Sequence, residues 1–200
     1  YPVAAGVAVD RRAPVKSSRS TVATMADIEP YFCALFAREA IPVCPDHGVP
    51  AVRTDPLIAA ERAAAAHDGA TALVTYRVPV QGVEAYLEVR ESLLAAGYRR
   101  LVVRGETRDL DEVAPTEALA GGAQAGVEVI VDRVKIAPRD KRRLGAAIEE
   151  AWRRADGAAA LYVTNGAGQT RRGVARGLTC PMRARAFEAL RVGLFSYQSP

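Results

Sequence analysis

Between residues 70 and 166 the spacing of apolar residues switches between a period of two and a period near four, and this limits the fold more than any other feature. "ATALVTYRVPV" reads as a strand, with Pro79 near its end. "VEAYLEVRESLLAAG" sets Tyr86, Leu87, Val89, Leu93 and Leu94 in a loose helical pattern that Gly97 stops. "YRRLVVRGETRDL" follows as strand and turn, and "VEVIVDRVKI" alternates as a strand does. "PRDKRRLGAAIEEAWRRADG" is the clearest helix, with Leu144, Ile148, Ala151, Trp152 and Ala155 on one face. "AAALYVTNG" is a last strand ending in the turn pair Asn165-Gly166. The order strand, helix, strand, strand, helix, strand predicts an α+β fold. It is a mostly antiparallel sheet with two helices on one face, of ferredoxin-like order.

The flanks fit this unit poorly. Residues 1–20 carry Gly, Pro and Ser punctuation and one short alternation, "GVAVD". Thr24 can cap a following helix, with Pro30 in its first turn, and Ile28, Tyr31, Phe32, Leu35 and Phe36 form one apolar stripe. "IPVCPDHGVP" ends that helix as a loop, and "DPLIAAERAAAAHDG" is a short Ala-rich helix. The division expected is therefore 1–51 and 173–200 as two edges of one domain, with 52–172 inserted between them. The start lacks an initiator Met and a leader pattern, as an excised fragment would.

Three cysteines, odd in number and far apart, argue against a secreted disulfide framework and favour a cytoplasmic setting. No apolar run reaches membrane-helix length. The net charge of +4 is uneven. Residues 133–154 carry eight Lys/Arg against three Asp/Glu, and 168–200 carry six against one. Such surfaces meet phosphates or acidic protein patches, or are simply solvated. There is no phosphate loop, no G-x-S-x-G and no H-E-x-x-H, and neither His47 nor His67 has an evident catalytic partner. No catalytic residue is expected.

Zinc needs four soft or imidazole donors. Cys44 and His47 form one C-x-x-H pair, whereas Cys180 is alone because Arg183 stands where its partner would be. A guanidinium cannot ligate. With Cys33 the only other thiol, no metal site is expected, and Cys180 reads as a remnant ligand.

"RSTVATMADIEPYFCALFARE" followed by "VCPDHGVP" resembles the UvrA family of excinuclease components, and the likeness continues in order. It runs through "GYRRLVVRGETRDLDE", "VEVIVDRVKI", "RLGAAIEEAWRRADG" and "LTCPMRARAFEALRVGLFSYQSP". The resemblance implies part of a damage-sensing ABC-type ATPase of bacterial nucleotide excision repair, a homodimer with ATP, magnesium and zinc. The middle would be its UvrB-binding domain, flanked by two pieces of the first signature domain. Departures are plain. Arg11 falls where the family has its Q-loop glutamine, Arg183 replaces a zinc cysteine, and "VQGVEA" shortens a glycine- and lysine-bearing stretch. The chain thus resembles a diverged member or a paralogue.

In "RRLVVRG" Leu101 and Val103 share one strand face, so Arg100, Val102 and Arg104 point the other way. In "VEVIVDR" the valines alternate with Glu128, Ile130 and Asp132, and Arg133 closes the strand. Arg100 and Arg133 match arginines of the family pattern. With Asp132, Arg143 and Glu149 they are the residues expected to line a charged UvrB contact. Two other readings stay open: a nucleic-acid-binding module with a degenerate zinc ribbon, its tail arginines (171, 172, 176, 183 and 185) on DNA phosphates, or a paralogue that no longer binds UvrB.

Overall fold

A computed structural model describes residues 6, 21–119, 126–166 and 168–196. Its contacts divide the chain into two units, 43–187 and 1–42 with 188–200. The larger unit contains the expected 52–172 and adds a bridged turn before it and a short strand after it.

The smaller unit holds α1 (Val22–Met25) and α2 (Glu29–Glu39). Thr21, not Thr24, is the N-cap, and the two threonines close a capping box. Asp27, at φ 56°, breaks the single helix expected there. Of the apolar stripe, Tyr31, Phe32, Leu35 and Phe36 are exposed, and only Cys33 of α2 is buried. Phe36 meets the Phe195 ring at 5.7 Å, and the Cys33 thiol donates to the Phe195 carbonyl at 3.2 Å. Arg11 lies outside the described residues. Among the described residues no helix is long and apolar enough to cross a membrane.

The larger unit opens with a strand, β1 (Val52–Thr54), and helix α3 (Pro56–His67). Asp55 caps that helix, its carboxylate accepting from the Ile58 amide at 2.8 Å, and Pro56 fills the first turn, where a missing N–H costs nothing. Next come β2 (Thr71–Val78), α4 (Val83–Ala95), β3 (Arg100–Val103), β4 (Glu106–Asp109), a one-turn α5 (Pro115–Ala118) and β5 (Val127–Lys135). Then follow α6 (Lys141–Arg154), β6 (Ala158–Asn165), β7 (Gly168–Ala175) and β8 (Gly177–Thr179).

The main sheet has the order β4-β3-β5-β2-β6-β7, antiparallel throughout. Its inner four strands keep the ferredoxin-like order expected from the sequence, and β4 and β7 are hairpin additions at the two edges. Arg104 and Gly105 make the β3–β4 turn with φ of 52° and 85°, the left-handed pair a two-residue hairpin prefers. Tyr86 and Leu93 of α4, Leu144, Ile148 and Trp152 of α6, and the alanines of α3 share one core with Val74, Tyr76, Leu101, Val129 and Val163. Three helices contribute to this core where two were expected. The small Ala59, Ala60, Ala63 and Ala64 give α3 a buried face, and α3 packs closely on α6.

On β5 the register against β2 slips between Val74 and Thr75, so that Val74 faces Asp132 while Thr75 faces Ile130. The extra residue, Val131, is a β-bulge, and it reverses which face the following side chains take. The expectation that Glu128, Ile130 and Asp132 share a face is thereby corrected. Asp132 joins the helical side, and Arg133 lands opposite Leu73 on the side of Thr75 and Glu128.

Candidate functional site

The helix-free side of the main sheet is its polar face. Val102 of β3 pairs with Glu128 of β5, and Thr75 and Arg77 of β2 extend the same face. Tyr162 and Arg171 pair across β6 and β7. Gln169 of β7 reaches toward the β3–β4 turn: a Cβ on Gly105 would lie 3.1 Å from its side-chain oxygen. Strands at opposite edges approach one another in this way only if the sheet curls, and the curl makes this face concave.

Glu128 lies at the centre, 6% exposed. It accepts from the Thr75 hydroxyl at 2.9 Å, from Arg77 at 3.1 Å and from Arg171 at 2.7 Å. Arg171 also stands over the Tyr162 ring, 5.9 Å from its centroid, and burial raises the Tyr162 phenol above its ordinary pKa. Burying a carboxylate is costly unless it is paired and hydrogen-bonded, and here two half-exposed guanidinium groups do both. The local charge is one carboxylate against two arginines, so the face is net basic. Sequence reasoning placed Glu128 on a face by alternation but missed this cluster, since its partners come from strands 51 and 43 residues away.

Of the five residues expected at a partner surface, Arg100 and Arg133 fall on this face by register. Arg100 is exposed and 3.5 Å from Asp109 of the neighbouring edge strand. The other three lie elsewhere. Asp132 takes two hydrogen bonds from Arg143 of α6, both at 2.9 Å, and this pairing raises the pKa of the Arg143 guanidinium. Glu149 is exposed on α6. The structure thus separates a sheet-face pair from a helix-side pair.

A second constellation lies in the turns beside the small sheet formed by β1 and β8. Cys44, His47 and Cys180, expected as two separate remnants, are brought together, with candidate ligand atoms all within 4.8 Å of one another. The pairing of β1 with β8 causes this, since it aligns the segments that precede β1 and follow β8. His47 Nδ1 lies 3.4 Å from the Cys44 sulfur and 3.6 Å from that of Cys180. Desolvation pushes the Cys180 thiol up, but hydrogen bonds from the Arg183 and Met182 backbone and from the Cys44 side chain outweigh it and bring the thiol below its usual range. Two buried thiols and an imidazole are donors that zinc accepts, and together they supply three of the four that a closed tetrahedral shell needs. Zinc there would clamp the two segments together.

A family model described as the UvrA interaction domain matches residues 60–165. UvrABC system protein A of Mycobacterium bovis is 29% identical over 198 residues, covering 97% of this chain and 20% of the relative. The proteins of the same name from Pseudomonas putida and Vibrio vulnificus are 26% and 27% identical, again over 97% of the chain. The chain spans about a fifth of the length of these relatives. With more than half of its residues matched by the family model, this chain belongs to the UvrA family.

Proposed function

We propose that the chain is the partner-docking part of a UvrA-type repair protein, and that its concave sheet face binds UvrB through Arg100 and Arg133. The observation that carries this reading is the β5 bulge, which sets Arg133 on the same side of the sheet as Arg100, beside the net-basic Glu128 cluster. Arginine offers a rigid fork of donors suited to carboxylates, so the surface fits an acidic patch on a partner. The wider protein would be the ATP-dependent damage sensor of nucleotide excision repair, acting as a homodimer, and the described residues contribute docking to it and no chemistry.

Charge reversal at both sites (Arg100→Glu with Arg133→Glu) is expected to weaken binding to purified UvrB by at least about tenfold, in line with the cost of removing interfacial charges. Arg143→Ala, on the helical side, leaves affinity unchanged. Equal affinity of the double variant and the wild type at moderate salt overturns the reading.

A second reading, DNA binding, is favoured by one observation. A groove beside α3 and β7 is lined by Arg62, Arg171, Arg172, Arg183 and Arg185. Three of these are already engaged, by Thr54, Glu128 and Asp46. A duplex gel shift across salt concentration separates the readings: a steep loss of binding with salt supports DNA, and no shift at low salt excludes it.

A further inference from the structure

The two turns that carry Cys44 and Cys180 are built alike. In each, the cysteine amide donates to the carbonyl five residues on, Cys44 to Val49 at 2.9 Å and Cys180 to Arg185 at 3.0 Å. In each, the residue before the cysteine forms an antiparallel bridge seven residues ahead, Val43 with Pro50 and Thr179 with Ala186. In each a proline follows the cysteine. Three residues after the cysteine, the first turn has His47 and the second has Arg183. His47 is the nitrogen donor of the cluster, and Arg183 is the position that its structural twin would fill. A guanidinium has donors only and stays protonated, so this turn supplies one ligand where its twin supplies two.

We infer that Cys44, His47 and Cys180 hold a zinc ion with three protein ligands, and that the place opposite Arg183 is left to an external donor, water or a small thiol or imidazole. Thiolate and imidazole ligands together select zinc among common divalent ions. Among the described residues nothing else is placed to close the shell. Asp46 is the nearest carboxylate in sequence, and Arg185 holds it at 3.0 Å. Cys33 donates its thiol to the Phe195 carbonyl. Access exists: His47 is exposed, and the basic groove runs past Cys180, Met182 and Arg183. A closed four-ligand site is inert structural glue, whereas an open one exchanges its metal and accepts ligands.

Cobalt(II), loaded into the 200-residue chain in place of zinc, reads both parts of the inference. One cobalt per chain with thiolate-to-metal charge-transfer absorption is expected, lost in Cys44→Ser. Added imidazole or 2-mercaptoethanol is expected to shift the visible ligand-field bands saturably in the wild type. Asp46→Asn keeps that shift, and Arg183→Cys loses it, because a fourth protein thiolate closes the shell. Absence of stoichiometric metal in the wild type overturns the inference. So does a wild-type spectrum that external donors leave unmoved, or one that they move only after Asp46 is neutralised. The wild-type titration decides the matter alone if Arg183→Cys fails to fold. The result is independent of UvrB binding, which the sheet-face variants report.

Discussion

Glu128 shows how a single residue can organise a face. Its carboxylate gathers Thr75, Arg77 and Arg171 from two other strands, and removing it leaves two guanidinium groups without their shared anion. Breaking a fully buried pair costs several kcal/mol, but these arginines are nearly half exposed and can be resolvated. Glu128→Ala is therefore expected to cost about 2 kcal/mol in urea unfolding. Glu150 makes a prediction about pH. Hydrogen bonding from Arg154, with Arg153 and Tyr98 adding to it, lowers its carboxyl below the ordinary 4.5. The folded state then binds fewer protons than the unfolded chain in that window. The stabilisation is complete above pH 4.5 and fades as pH falls through the lowered folded value. Wild-type stability should decline more steeply than that of Glu150→Gln as the solution is acidified below pH 4.5, measured by thermal melts at matched ionic strength. Parallel curves would exclude the link. At this scale the sequence revealed residue types and strand faces, but not partners. The pairing of Glu128 with Arg171 depends on the order in which strands assemble, and composition does not encode that order locally.

Elements were legible where apolar periodicity was strong. Leu144, Ile148, Ala151 and Trp152 of the α6 stripe are buried as expected, and the Trp152 indole donates to the Val174 carbonyl at 3.0 Å, tying the helix to β7. By contrast β7, "GQTRRGVA", has almost no apolar alternation and reads as a basic tail. It is a strand because β6 offers it an edge, with eight consecutive residue pairs from Ala158↔Ala175 to Asn165↔Gly168. The bulge at Val131 was equally hidden, since strict alternation in "VEVIVDR" gives no sign of an added residue. Yet it decides the functional reading: without it Asp132 would share the open face and Arg133 would turn to the helices. The Arg100 and Arg133 charge-reversal experiment is thus also a test of register. The stripe of α2 is exposed. Helical spacing located it correctly, but periodicity says only that a face is apolar, not what covers it.

For the molecule as a whole, the unit spanning 43–187 has a core of its own, drawn from three helices and the main sheet. Expressed alone, residues 43–187 should unfold in one cooperative transition with the slope expected for a domain of that size. A broad, non-cooperative melt would show that the division is wrong. The β1–β8 ladder itself was not read from the sequence, because three-residue strands carry too little pattern to announce themselves. The metal-donor cluster was hidden for the same reason. Cys44 and Cys180 are far apart in sequence and meet only through that ladder.

The β1–β8 pairing has a consequence for how such a unit passes between proteins. Val52 lies opposite Thr179 and Thr54 opposite Gly177, so the chain leaves within one strand spacing of where it came in. A recipient fold needs only a surface hairpin to accept it, and losing it again would leave that hairpin intact with a shorter tip. Because lengthening a closed loop adds little entropy cost, the size of what hangs from the ladder is nearly free to vary. Divergence can then rewrite the sheet face that the unit carries, or discard the unit, while the two short strands remain.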